Sequence, residues 1–306
     1  MTGTLAEPTI ESRESPMRHT EAMTVAPSRA LSNAIEAFAG QVYFAPECHR
    51  GYAALGFAPS PAKSGDVEMP DGAAYFCSRG SALGQAPGEA IAATFGVFNP
   101  AVVVPAVDYG WKLTDARSIR AARAEGAAAQ LRRVLGHAPD GLDRVGQLLR
   151  RATDGLSVAG KPLFAGLVAD GLPGDPVADA WQLADQLREF RGDAHVNAWT
   201  ATGFDGVEIG LVTELYRGYP PRTQIRSRAW SDADLDAADE RLAERGVVRD
   251  GALTDAGRVA REAVETATDA VCAPIVANLG DDLRELVDLV GPWSQRLRDA
   301  GAFPPA

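Results

Sequence analysis

Apolar residues recur at helical spacing along most of the chain. The longest such stretch runs from Trp181 to Trp199, with Trp181, Ala184, Leu187, Phe190, Ala194 and Ala198 on one stripe. Asp175-Pro176 ahead of it offers an N-cap and a proline at the first helical position. Arg188, Glu189, Arg191, Asp193 and His195 crowd charge around Gly192. A glycine inside a helix costs about 1 kcal/mol relative to alanine, so Gly192 predicts a kink or a close backbone approach.

The same spacing predicts helices over residues 29–43, from Pro46 to Gly56, from Pro87 to Phe98, and over 114–135, 140–154 and Asp205 to Gly218. Thr114 reads as the N-cap of the fourth of these, with Asp115 in its first turn. Residues 58–72 read as a loop, and VVVP ending at Pro105 as a short helical or extended connection. Residues 1–28 are polar and proline-bearing and predict a disordered tail. No internal repeat and no long strand alternation is present.

The pattern changes in the last third. Ser231 caps a helix with Leu235, Ala238 and Leu242 inward, and Gly246 ends it. Asp250-Gly251 predicts a tight two-stranded hairpin. Thr254 then caps a helix from Asp255 to about Val271. A last helix, Leu283 to Arg298, is expected to pack on the body or to pair with a second copy in a possible homodimer. The expected fold is mainly α. A helical domain with a ligand pocket (29–220) precedes a degenerate winged helix-turn-helix with a small β-hairpin wing and a closing helix (221–306).

Composition narrows the function classes. The net charge is −11, and residues 222–262 hold eight arginines against nine acidic residues. Phosphate binding relies on clustered cations, so nucleic acid is an unexpected partner. Cys48, Cys77 and Cys272 are odd in number and far apart, which suits reduced thiols in a cytoplasmic protein. No apolar run is long enough to span a bilayer, so no membrane partner is expected. No Walker A motif and no GxGxxG follows a strand, so no nucleotide cofactor is expected. His19, His49, His137 and His195 are the only histidines; no metal site and no cofactor of any kind is expected.

RLAERGVVRDGALTDAGR (241–258) resembles the helix, wing and following helix of a MarR-type winged helix. The wider chain resembles an actinobacterial family described by an unusual helix-turn-helix domain. That resemblance rests on Tyr43 to Glu47, Ser81 to Gly84, Thr94-Phe95, Phe98 to Pro100, Arg191 to His195 and the winged segment. It covers nearly all of the chain after the tail and implies no settled activity. Members of that family often carry histidine where this chain has Asn99 and Phe190, which weakens a metal or haem reading.

The polar cluster at Gly192 and the aromatic stock point to acid–base chemistry in an aromatic pocket. His195 titrates near neutrality and would act as general acid or base, with Asp193 orienting it and Glu47 as a second carboxylate. Arg191 and Arg79 would bind an anionic group of the substrate and Asn99 would donate a hydrogen bond. Tyr43, Phe95 and Trp199 would line the pocket. The expected function is a small-molecule enzyme of a specialised pathway, catalysing a cyclisation, isomerisation or elimination without a cofactor. The alternatives are a MarR-like ligand-responsive transcriptional regulator and a non-catalytic small-molecule binding protein. In the bland reading, Arg188, Glu189, Arg191 and Asp193 form a structural ion-pair network and His195 is a core residue.

Overall fold

A computed structural model describes residues 26–304. The expected tail therefore falls largely outside the described residues, and Pro27 and Ser28 already belong to the first helix.

The chain runs through α1 (Pro27–Gly40), α2 (Pro46–Ala54), β1 (Ala62–Ser64), β2 (Val67–Met69), α3 (Gly72–Gly80), α4 (Gly88–Phe95), α5 (Pro100–Leu113) and α6 (Ala116–Leu135). There follow α7 (Leu142–Thr153), α8 (Pro162–Ala169), α9 (Pro176–Ala201), α10 (Gly206–Arg217), α11 (Asp232–Glu244), β3 (Val248–Arg249), β4 (Ala252–Leu253), α12 (Asp255–Leu279) and α13 (Leu283–Asp299). The fold is predominantly α-helical, with a C-terminal antiparallel hairpin that suits a winged helix-turn-helix. No described helix is long and apolar enough to cross a membrane.

α9 is the axis of the helical body. It packs against α1, α6, α7, α8 and α12, so it is buried around much of its circumference rather than on one stripe. Trp181 is 2% exposed and donates its indole N–H to the Ala39 carbonyl at 3.0 Å. A second core gathers Trp199, Phe204, Val212, Leu235, Leu242, Val248, Leu253 and Val264. α10 packs in this second core with α11 and the hairpin. α12 spans both cores: Val264 lies in the second, and Cys272, Ile275 and Leu279 in the first. α13 packs along α1, where Phe38 and Trp293 meet at 5.4 Å.

Several local readings change. Residues 58–72 hold a hairpin rather than a plain loop, with Lys63 paired to Glu68 across a turn in which Gly65 has a positive φ. VVVP lies inside α5. Its Pro105 removes a hydrogen bond that would end on the Ala101 carbonyl, four residues back. Ala101 is exposed in the first turn, so that carbonyl lies on the solvent-facing side of the helix. The same rule holds for Pro274 in α12 and Pro292 in α13, whose freed carbonyls belong to exposed Ala270 and Asp288. α12 runs on to Leu279, past the expected end near Val271. Asp115, not Thr114, caps α6, accepting from the Ser118 N–H at 2.9 Å.

Candidate functional site

A buried charge network sits where α9 meets the first half of the chain. Glu189 is 2% exposed. Arg79, at the end of α3, grips it with Nε to Oε1 at 2.9 Å and Nη2 to Oε2 at 2.8 Å. Arg188 adds a hydrogen bond to Oε1 at 2.8 Å. The Tyr43 hydroxyl donates to the same oxygen at 3.3 Å and accepts from Arg123, which also holds Asp185 at 2.9 Å. Burial alone would raise the Glu189 pKa; the facing Arg79 and Arg188 guanidiniums outweigh it and hold the carboxyl down at about 2. Phe95 joins this cluster, with the Arg79 guanidinium 4.5 Å from its ring centre. Tyr43, Arg79 and Phe95 are thus brought together around Glu189, a residue the sequence placed only in a structural ion-pair network with Arg188. Arg123 and Asp185 were missed. Only their place on inward helical faces signals them, and an arginine there reads as a solvated residue.

The other candidates disperse. Asp193 and His195 are two residues apart, about 200° around a helix, and face different elements. The Asp193 carboxylate accepts from the Phe164 N–H at 3.0 Å, near the start of α8. His195 turns to α12, its Nδ1 3.1 Å from the Thr268 hydroxyl. That hydroxyl donates to the Val264 carbonyl, so the ring nitrogen is left to donate. Arg191 pairs with Glu265 at 2.6 Å, in a second network with Arg29, Arg261 and Asp269. Glu47 sits on α2 and pairs with Arg133 at 2.7 Å. Trp199 packs over Gly96, where an added Cβ would come within 2.8 Å of the indole. Burial pushes the Cys48 and Cys77 thiols up to about 12, and Cys272 to about 11. Among the described residues no group of three metal-binding side chains clusters.

α9 runs unbroken through Gly192. A Cβ there would meet only the Glu189 carboxylate, at 3.5 Å. The expected close approach is absent, and Gly192→Ala is expected to raise stability by about 1 kcal/mol in urea unfolding.

Burial lowers the His195 pKa to about 4 and raises that of Asp193 to about 7. The signs oppose. His195 contributes stability that is lost as pH falls from about 6.5 toward 4, because only the unfolded chain takes up the proton. Asp193 contributes stability that is lost as pH rises from about 4 toward 7, because only the unfolded chain releases one. Relative to the parent, His195→Gln is expected to make the melting temperature fall more steeply as pH rises between 4 and 6.5. Asp193→Asn is expected to tilt it the other way. Parallel profiles in differential scanning calorimetry would contradict both.

The winged unit is built on local rules. A capping box of Asp205 and Glu208 starts α10, and one of Ser231 and Asp234 starts α11. Between them a 3₁₀ turn (Ile225–Arg228) leads into Ala229, a non-glycine residue at φ 62°. That costly conformation is held from the helical body. Asn99 caps α5 with its side-chain oxygen, donates its amide to the Ala229 carbonyl at 3.0 Å, and donates its backbone N–H to Arg228 at 2.9 Å. Trp230 donates to the Val97 carbonyl at 2.9 Å. Asn99 is therefore a clamp between the body and the segment that enters α11. The hairpin turns on Asp250 and Gly251, both at positive φ, as a tight primed turn requires. Arg241 of α11 and Arg245 at its C-cap reach back to Glu208 of α10 and to Asp205, its N-cap.

Three of the six carboxylates of α11 are paired from the preceding segment. Arg222 pairs with Asp236 and Asp239, and Arg226 with Asp232. Asp234 folds back onto Ser231. Arg249 on the hairpin and Arg258 at the start of α12 are exposed and pair with no carboxylate among the described residues.

α10 and α11, connected by residues 218–231, form one unit with the hairpin and the long α12, and the match of residues 28–304 to a helix-turn-helix family spans the body as well. The chain belongs to that helix-turn-helix family. No curated protein and no solved structure matches it. Membership of the helix-turn-helix family overturns three expectations. It points to a DNA-binding regulatory protein in place of a dedicated small-molecule enzyme. It gives no place to the cyclase, isomerase or lyase chemistry, nor to a biosynthetic role. It also reverses the view that nucleic acid is an unexpected partner. The charge count hid one feature of the winged unit: Arg249 and Arg258 stay exposed and without a carboxylate partner among the described residues.

Proposed function

We propose that the chain is a ligand-responsive, MarR-like transcriptional regulator that binds duplex DNA through its winged unit. The observation that carries this is the helix-turn-helix family match over a fold whose α10, α11 and hairpin have the winged arrangement. α11 enters the major groove. Its outer face offers Ala233 and Ala237 for thymine methyl groups and Glu240 as an acceptor for a cytosine amino group. Arg249 on the wing and Arg258 on α12 take phosphates. The helical body senses the ligand and acts on α11 through the Asn99 clamp. Within the family the chain falls in the actinobacterial group, on the Tyr43–Glu47, Phe98–Pro100 and Arg191–His195 motifs. It works in the cytoplasm, where three buried thiols stay reduced.

Selection by the full chain from a pool of random duplexes at about 50 mM salt tests the proposal. Enrichment of one motif over successive rounds is expected, and a pool that stays random would reject it. On the selected duplex, Arg249→Gln is expected to weaken binding evenly across sequences. It should also lower the slope of log affinity against log salt by about 1, in fluorescence anisotropy.

A further inference from the structure

We propose that the cleft between α6 and α9 binds a small apolar carboxylate. The cleft has a volume of about 740 Å³ and opens between α6, the α8–α9 connection and the first turns of α9. Its α6 wall is a helical stripe: Ala121, Ala124 and Ala128 give the floor, because their short side chains leave room. Arg117, Arg120 and Arg123, each three residues apart, form a ladder of guanidiniums along it. Leu167 and Leu172 supply apolar surface opposite.

The inner end carries the argument. Arg123 lines the cleft and is 4% exposed. Its Nη2 is used by Asp185 and Tyr43, and its plane lies over the Tyr43 and Trp181 rings at 4.8 and 5.4 Å. Its Nη1 is buried without a hydrogen-bond partner. An unpaired buried guanidinium donor costs free energy that an arriving anion would recover. Arg117 is exposed and makes no ion pair or side-chain hydrogen bond among the described residues. Arg120 and Arg132, by contrast, are held by Asp170 and Asp175. The cleft thus offers one free guanidinium, Arg117, and one unpaired N–H of the Asp185-bound Arg123 above an alanine floor, with the exposed Glu125 on the same wall. A carboxylate meets the arginine ladder, and its apolar body lies along Ala121, Ala124 and Ala128 against the leucines.

As a ligand site this stands on the cleft alone. As the effector site of a regulator it rests on the reading proposed above. The test uses the full chain with 2-naphthoate as the anion and 2-naphthamide as its uncharged counterpart, followed by calorimetry and by tryptophan fluorescence. The carboxylate is expected to bind about tenfold or more tightly than the amide. Arg117→Gln is expected to erase most of that preference, and Ala124→Trp, which fills the floor, to abolish binding. Arg249→Gln, on the wing, should leave it unchanged. Equal binding of acid and amide, no binding of either, or full binding by a folded Ala124→Trp protein would each overturn the site. Naphthoate should also shift the affinity for the selected duplex. Naphthoate binding with duplex affinity unchanged overturns the effector role and leaves the ligand site standing. Failure to bind any duplex removes the regulatory reading, and the calorimetry alone then decides the cleft.

Discussion

Replacing Glu189 by alanine is expected to lower the free energy of unfolding by about 3–5 kcal/mol, because it leaves buried guanidiniums without their counter-charge. Arg79 makes both of its parallel hydrogen bonds to this carboxylate, and Arg188 and Tyr43 converge on the same oxygen. Their side chains cannot swing to water without breaking the aromatic packing of Phe95 and Tyr43. Glu189→Gln should cost less, since its carbonyl still accepts while the charge is lost. Urea unfolding at neutral pH checks the order. The network also sets an acid limit. The Glu189 carboxyl is held at about 2, so its contribution persists below the ordinary carboxylate range and is lost only as pH falls from about 4.5 through 2. An alanine variant within about 0.5 kcal/mol of the parent would show that the network does not hold α9 in place.

Gly257→Ala is expected to disable the winged unit with the helical body left folded. A Cβ at this position would lie 2.1 Å from the Val247 carbonyl oxygen and 3.3 Å from Leu253. The carbonyl cannot retreat freely, since it accepts from the Thr254 N–H at 3.1 Å, and the Gly257 N–H is itself capped by Thr254. α12 must move off the hairpin, at a cost of about 1–3 kcal/mol for a forced backbone shift. The loss should fall on the second core. Hydrogen exchange is expected to quicken in α11 and the hairpin and to hold steady in α9. Duplex binding should drop with it. Unchanged exchange in α11 would contradict this account of how the wing is seated.

The winged unit was the most legible part of the chain. Ser231, Gly246, Asp250-Gly251 and Thr254 are local signals, each fixed by a capping or turn requirement that needs no knowledge of the rest of the fold. The long central helix was legible for the same reason, through Asp175-Pro176 and its apolar stripe. What the pattern could not carry was pairing across distance. Glu189 finds Arg79, Arg191 finds Glu265, and Arg222 finds Asp236 only once the helices pack. Before packing, Arg191, Asp193 and His195 look like one cluster because they are neighbours in sequence. The helix points them at α12, α8 and α12 again. Proline misled in α5, because its cost depends on whether the carbonyl four residues back is exposed.

The charge of the winged segment was the costliest misreading. Eight arginines against nine carboxylates read as repelling phosphate, but that balance does not show which of them pair: Arg222 and Arg226 take three of the carboxylates. Arg249 and Arg258 then stand out as the cations left over. The central claim is that this surface meets the DNA backbone, and a salt titration of the selected duplex tests it most directly. Full-chain affinity, followed by anisotropy from about 50 to 200 mM salt, should fall along a straight log–log line with a slope of several units. A slope near zero, or no binding at the lowest salt, would contradict the claim.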